Sequence, residues 1–336
     1  MLSLRRGRVT RIEERREGLV RLEVDGRACI AYPRLTGPVA AGDDVLVNVQ
    51  AVQLGLGSGG FDILYADLTR GLDLPPEDGA HVMKLPYTPL QHAVVHAEEG
   101  EGPGSQELAG TPVVCCSLHS QLAPVCAGLG TGHTVAYVQL PGGALPVSLS
   151  DAVRELRRRG FLSVAVAPGP AIDGDVTCVT LAAALAWCAG REIEAIVCSV
   201  GPGIVGTGTR LGHGGLAAAD AANVAAALGG RPILAPRMST ADLRERHHGL
   251  SHHTAAVLAL SLGEVSVAWP AGLALPAEAG PVQVVDVAEW EEACAGLPLS
   301  HMGRGPAEDP WFFAAAYAAG RLAGTFLEDR GRTPAS

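Results

Sequence analysis

The chain is predicted to be an α/β protein: a mostly parallel, doubly wound sheet with helices on both faces, preceded by a small N-terminal β-barrel. Three observations carry this. Short alternating or apolar runs separated by turn signals fill residues 1–70. From Val113 onward, continuous apolar runs alternate with helical patterns. Between Ile193 and Leu228 a strand, a glycine-rich loop and an alanine-rich helix follow one another. Continuous apolar strands alternating with helices mark a parallel sheet buried on both faces.

The barrel is read from runs at 8–13, 19–24, 27–31 and 44–49, with turns at Glu17-Gly18, Asp25-Gly26 and Gly42-Asp43. Strands this short and this evenly spaced fit an OB or SH3-like barrel. Leu54–Gly60 breaks the pattern, and Phe61–Leu68 is expected to close it. Residues 71–110 read as a connector rich in Pro, Gly and Glu, with a strand pair inside His81–His96 and an exposed loop at Glu98–Gln106.

Residues 111–336 form the α/β domain that carries the candidate site. Strands are expected at 113–117, 134–139, 162–167, 195–200, 232–235 and 255–262. Helices are expected at 119–129, 149–159, 176–189, 214–228 and 240–247, with capping boxes at Ser148/Asp151 and Ser239/Asp242. Val265–Trp269 and Val282–Asp286 are expected as antiparallel edge strands, and Trp311–Leu327 as a final amphipathic helix.

Composition bounds the function. The net charge is −10 over 336 residues, which argues against non-specific nucleic-acid binding. The early arginines, among them Arg5, Arg6, Arg8 and Arg11, alternate with apolar residues and read as a solvated strand face. No apolar run reaches the roughly 20 residues of a membrane helix, and no cleavable leader is recognised. The expected compartment is the cytoplasm. Eight cysteines show no CxxC pairing and read as buried free thiols, with Cys178 and Cys188 assigned to a helix.

In an open α/β sheet, ligands bind beyond the carboxyl ends of the strands. The sequence places polar and glycine-rich segments there: Ser117-Leu-His119-Ser120, Gly142-Gly143, Asp173-Gly-Asp175, the loop Gly201–Gly215, and Arg237-Met-Ser239. Asp173-Gly-Asp175 is read as a turn in preference to a Mg²⁺ site.

Gly201, Gly203 and Gly206 satisfy GxGxxG after a strand, yet the helix starts late and no acidic residue ends the next strand, so a dinucleotide site is disfavoured. Gly208-Thr209 is followed by Arg210 where a P-loop needs lysine before the hydroxyl. What remains is an anion cradle built from Gly201, Gly203, Gly206, Thr207, Gly208 and Thr209, with Arg237 balancing charge. The competing reading is a tight loop that lets helix and sheet approach.

His247-His248-Gly-Leu-Ser-His252-His253-Thr254 holds four of the eleven histidines. Imidazole is both a metal ligand and an acid/base group. His248 and His252 are the candidate metal ligands, shared with His119, His213 or an aspartate. His119, His252 and His253 are candidate acid/base groups. An interface cluster is the structural alternative. Gly249 is expected to end the helix begun near Thr240. A serine nucleophile in Ser117-Leu-His119-Ser120 has no GxSxG elbow behind it. Lys84 is the only lysine, and an amine can titrate or act as a point charge where guanidinium cannot, so Lys84 is a candidate catalytic group.

His81-Val-Met-Lys-Leu, Gly201–Thr209 and His248–Thr254 together resemble a bacterial domain-of-unknown-function family, family 3866, over essentially the whole chain. That resemblance implies no activity. It implies that Lys84, the glycine loop and the histidine cluster belong to one site. The expected function is an enzyme, of hydrolase or transferase type, acting on a small anionic or phosphorylated substrate. The alternative is a non-catalytic sensor or assembly protein using the same crevice. The candidate cofactor is a divalent metal, the candidate partner a small anion, and a homo-oligomer the candidate assembly.

Overall fold

The computed structural model describes residues 2–55, 59–70, 73–100, 106–275 and 282–332. The centre of the Leu54–Gly60 break and residues 101–105 of the expected exposed loop lie outside the described residues. The chain divides into two compact units, Met1–Val95 and His96–Ser336.

The first unit is a closed five-stranded barrel of β1 (Leu4–Arg16), β2 (Leu19–Val24), β3 (Arg27–Ala31), β4 (Asp44–Asn48) and β5 (Asp62–Asp67), with short helices α1 (Pro33–Thr36) and α2 (Gln50–Gln53). The strand order is β1-β2-β3-β5-β4, with β1 closing on β4. β1 serves two neighbours: Leu4–Arg8 pair with β4 and Val9–Arg16 with β2, and irregular register after Val9 and after Ile12 bends it between them. Its alternation buries Val9 with Leu22, Val24, Val45, Val47 and Leu64. The arginines between stay on the solvent side, where Arg6 pairs with Asp44 and Arg11 with Glu13 and Glu23. A hairpin of β6 (Val82–Lys84) and β7 (His92–Val94) completes the unit, as the strand pair expected in His81–His96.

The second unit is an eight-stranded, all-parallel sheet. In chain order its elements are β8 (Pro112–Cys116), α3 (Leu122–Leu129), β9 (Val135–Leu140), α4 (Asp151–Arg158), β10 (Val164–Pro168), β11 (Val176–Cys178), α5 (Leu181–Ala189), β12 (Ala195–Val200), α6 (Ala217–Ala227) and β13 (Arg231–Ala235). There follow β14 (Met238–Ser239), β15 (Gly249–Leu250), α7 (His252–Leu260), β16 (Ser266–Pro270), β17 (Val282–Val285), α8 (Trp290–Ala293) and α9 (Pro310–Arg332). The sheet order is β11-β10-β9-β12-β8-β13-β16-β17.

Period-two alternation sends successive strand residues to opposite faces. Val114, Cys116, Val135, Tyr137 and Val197 therefore meet α3, α4, α8 and α9 on one face. Val113, Cys115, Ala136, Val138 and Ile196 meet α5, α6 and α7 on the other. The chain leaves β8 toward β9 in one direction and leaves β12 toward β13 in the other, so the neighbours β8 and β12 define a topological switch point. All eight cysteines are buried and free, with Cys178 on β11 and Cys188 on α5. Burial pushes the Cys115 thiol up to about 12 and the Cys126 thiol well above its usual range. Among the described residues no helix is long and apolar enough to cross a membrane.

Several sequence expectations are corrected. Residues 255–262 belong mainly to helix α7: Ser251 caps it, its Oγ accepting from the His253 N–H at 3.2 Å. Residues 240–247 are not an α-helix; Asp242 ties down the turn through its arginine partners, and only Glu245–His247 make a 3₁₀ turn. Gly249 accordingly ends no helix but lies on β15. β16 and β17 join the sheet parallel, not antiparallel. The expected helix 176–189 starts only at Leu181, because Val176–Cys178 pair with β10. α4 is capped by Ser150, whose Oγ accepts from Val153 N–H at 2.9 Å, while Ser148 donates to Asp173 at 2.8 Å.

Candidate functional site

The three central strands deliver the site from their carboxyl ends: Ser117–Ser120 after β8, Gly201–Gly215 after β12, and Arg237–Ser239 after β13. The glycine loop is a hairpin, not a direct strand-to-helix cradle. Thr207 N–H donates to Gly212 O at 2.6 Å and Gly214 N–H to Val205 O at 2.8 Å. A 3₁₀ turn at Gly214–Leu216 then leads into α6. Much of its glycine serves close packing. A Cβ at Gly201 would overlap the Ala144 carbonyl, and one at Gly214 would overlap Gly142. The seam between the two loops is sealed by Ala144 N–H to Pro202 O at 2.9 Å and Val205 N–H to Gly142 O at 3.0 Å. Gly203, Gly206, Gly208 and Thr209 are exposed, and Thr207 and Thr209 spend their hydroxyls on each other at 2.8 Å.

His213, at the base of this hairpin, meets the histidines of the α7 start. Its ring stacks on His253 at 3.6 Å and lies 5.6 Å from His252. His247 is 4.8 Å from His252 and 5.0 Å from His253. Nε2 of His252 is buried with no hydrogen-bond partner among the described residues. Burial first, then the Arg237 charge, lowers the basicity of His253 to about 2 and of His247 to about 3. Burial likewise lowers His213 and His252. The helix N-terminus under His252 and His253 also disfavours imidazolium. The cluster is neutral.

Arg237 sits at the centre, 3% exposed. Its Nη1 donates to His253 Nδ1 at 3.0 Å, Nη2 lies 3.7 Å from Asp242, and Nε has no partner among the described residues. Burial pulls its guanidinium down to about 10. Asp242 accepts two bonds from Arg244, at 2.6 and 2.9 Å, and lies 3.4 Å from Arg304; the Arg244 bonds hold its carboxyl well below the usual range. Asp309 accepts from Ser239 at 2.6 Å and Arg304 at 3.2 Å, leaving Oδ1 buried and unpartnered among the described residues. With Arg246 beside the hairpin tip at Gly208, the guanidinium groups outnumber the carboxylates here.

The metal-capable group is His213, His252 and His253, whose nearest donor atoms lie within 4.8 Å of one another. Their spacing is compatible with a metal ion, while two features of the arrangement weigh against a dication. The stacked rings of His213 and His253, with planes 13° apart, hold their in-plane lone pairs in two nearly parallel layers. Arg237 already occupies the Nδ1 lone pair of His253. A dication would also sit among arginines whose carboxylates are spent on ion pairs.

The predicted site residues fare unequally. Arg237, His252 and His253 are brought together. His248 is exposed and makes no ring contact with the cluster. His119 is half-buried with both nitrogens engaged, by Val200 O at 3.1 Å and Ser150 Oγ at 2.6 Å, and desolvation lowers it to about 4. Lys84 is buried at the end of β6, in the first unit. Asp175 caps Ala165 N–H at 2.8 Å and pairs with Arg157 at 2.6 Å, consistent with a turn. Sequence reasoning missed Asp242, Arg304, Asp309 and His301. The first was hidden by the helix assigned to 240–247, and the other three belong to no local motif.

Fold and site together define a doubly wound α/β protein with an N-terminal barrel and a histidine–arginine cluster at the carboxyl edge of its sheet. No curated protein matches the chain. A family model, described as "Protein of unknown function (DUF3866)", matches residues 28–320, from within the barrel into α9. The chain belongs to that family.

Proposed function

We propose that the crevice binds a small anionic ligand, and that the protein is an enzyme of hydrolase or transferase type acting on a substrate with that charge. One observation carries the reading: a buried guanidinium stands beside neutral imidazoles, and its Nε and the Nε2 of His252 have no hydrogen-bond partner among the described residues. Buried donors without partners are rare and costly. An anion accepting from Arg237 Nε and from imidazole N–H groups would satisfy several at once. The hairpin tip, with Gly208 and Thr209, supplies the outer wall of the crevice in this reading. The reduced, buried thiols support a reducing compartment such as the cytoplasm.

The test is calorimetric titration of the purified protein with inorganic phosphate and with sulfate. Saturable binding of one anion per chain, weakened roughly 10–100-fold in Arg237→Gln, is the expected result. No heat from either anion, in a protein shown to be folded, would end the proposal.

A further inference from the structure

Ser120 and His301 form a pair that anion binding alone leaves unused. Ser120 lies in the turn between the central strand β8 and α3, at the carboxyl edge of the sheet and at the switch point. His301 comes from the segment before α9. Its ring lies flat on Phe312, with centroids 3.7 Å apart and planes within 3°. That stacking fixes the imidazole so that Nδ1 faces Ser120 Oγ at 3.3 Å. Nε2 is buried with no partner among the described residues.

We propose that Ser120 is a nucleophile, that His301 is its general base, and that the substrate is a carboxylic ester carrying a negatively charged group. The proposal rests on the anion reading above, since Arg237 would hold the charged group. The ends of β8 and β13 that carry Ser120 and Arg237 are tied together by Gln121 Nε2 donating to Ala235 O at 2.8 Å. Serine–histidine spacings of this kind are loose in unliganded sites and tighten on binding. Burial and the nearby Arg237 lower His301 to about 3, so its ring is neutral at ordinary pH but only a weak base while Arg237 is unpaired with an anion. A bound anion would offset Arg237 and raise that basicity.

In the first step Ser120 Oγ attacks the ester carbonyl carbon. The Oγ–C bond forms, the Oγ proton passes to His301 Nδ1, and the carbonyl electron pair moves onto oxygen. Collapse breaks the bond to the leaving alcohol, which takes its proton from His301. Water then attacks the acyl-serine, giving a proton to His301. Release of the carboxylic acid returns that proton to Ser120.

The probe is a fluorophosphonate, whose phosphorus bonds to an activated serine with loss of fluoride. Intact-mass analysis and peptide mapping should find one adduct, on Ser120. Ser120→Ala, which removes a single oxygen, should give none while binding inorganic phosphate as the wild type does. His301→Gln should label roughly a hundredfold more slowly, and wild-type labelling should slow as pH falls. Phosphate should compete with labelling. Absence of the adduct, or an adduct on another residue, in protein that still binds phosphate overturns the nucleophile and leaves the anion reading standing. Labelling of Ser120 in protein that binds no phosphate supports the nucleophile and overturns the anion reading with its charged-substrate clause.

Discussion

Arg237 donates from Nη1 to His253 Nδ1 across 3.0 Å, and the ring that accepts is itself stacked on His213 at 3.6 Å. A neutral imidazole that accepts at Nδ1 carries its proton on Nε2. The guanidinium therefore chooses the tautomer of His253 and turns that ring into a donor, which suits an anion.

Loss of this guanidinium should weaken phosphate binding more than loss of any single imidazole. A hydrogen bond to a charged group contributes about 1.5–3 kcal/mol, so Arg237→Gln should raise the Kd by roughly 10–100-fold. His252→Gln should cost less. Equal effects in titration calorimetry would show that Arg237 is not the anchor.

The same charge should govern metal uptake. In Arg237→Ala the Nδ1 lone pair of His253 is released and a buried positive charge is gone, so Co²⁺ affinity should rise at least about tenfold over wild type. The visible d–d bands of Co²⁺ report it. Stronger Co²⁺ binding by the wild type than by the variant would refute the argument that this cluster disfavours dications.

Acid should destabilise the second unit through its neutral histidines. Their folded basicity lies below the unfolded value of about 6.5, with His119 at about 4 and His247 and His301 at about 3. The unfolded chain then binds more protons below pH 6.5, so stability is full above that pH and declines as pH falls toward 3. Each such group adds a slope of up to about 1.4 kcal/mol per pH unit. Urea unfolding at pH 7.5, 6, 5 and 4 measures it. Replacing His119 by Gln should flatten the slope by up to one group's share, and an unchanged slope would show that His119 titrates normally.

Glycines of one loop should differ sharply in tolerance. Gly201→Ala drives a Cβ into the Ala144 carbonyl and should cost about 3 kcal/mol or more. Gly208→Ala meets only the Arg246 guanidinium, at 3.9 Å, and should stay within about 0.5 kcal/mol. Thermal melts of the two variants decide. Similar losses in both would mean that the seam between the Gly142 and Gly201 loops is not what uses the glycine.

The barrel and the sheet were legible because period and turn chemistry agree there: Leu19–Val24 and Arg27–Ala31 match expectation to the residue. The stretch beginning Ala255-Ala-Val-Leu-Ala-Leu was misread because a short apolar run fits a buried strand as well as a helix. The deciding residue was Ser251, whose cap sits just before the histidines. Ser239 and Asp242 resembled a helix start, yet Asp242 is held by arginines and Ser239 by Asp309, which no local pattern announces. Four histidines within seven positions were visible as a group. Which of them turn inward was not, since that depends on whether α7 starts at His252.

The buried thiols make this chain its own recorder of opening. With every cysteine buried and unpaired, an alkylating reagent in solution finds no sulfur to attack until strands such as β8 and β12 part. The pace of alkylation therefore counts excursions of the fold itself, and a molecule that has once opened in an oxidising medium carries a lasting chemical mark of it.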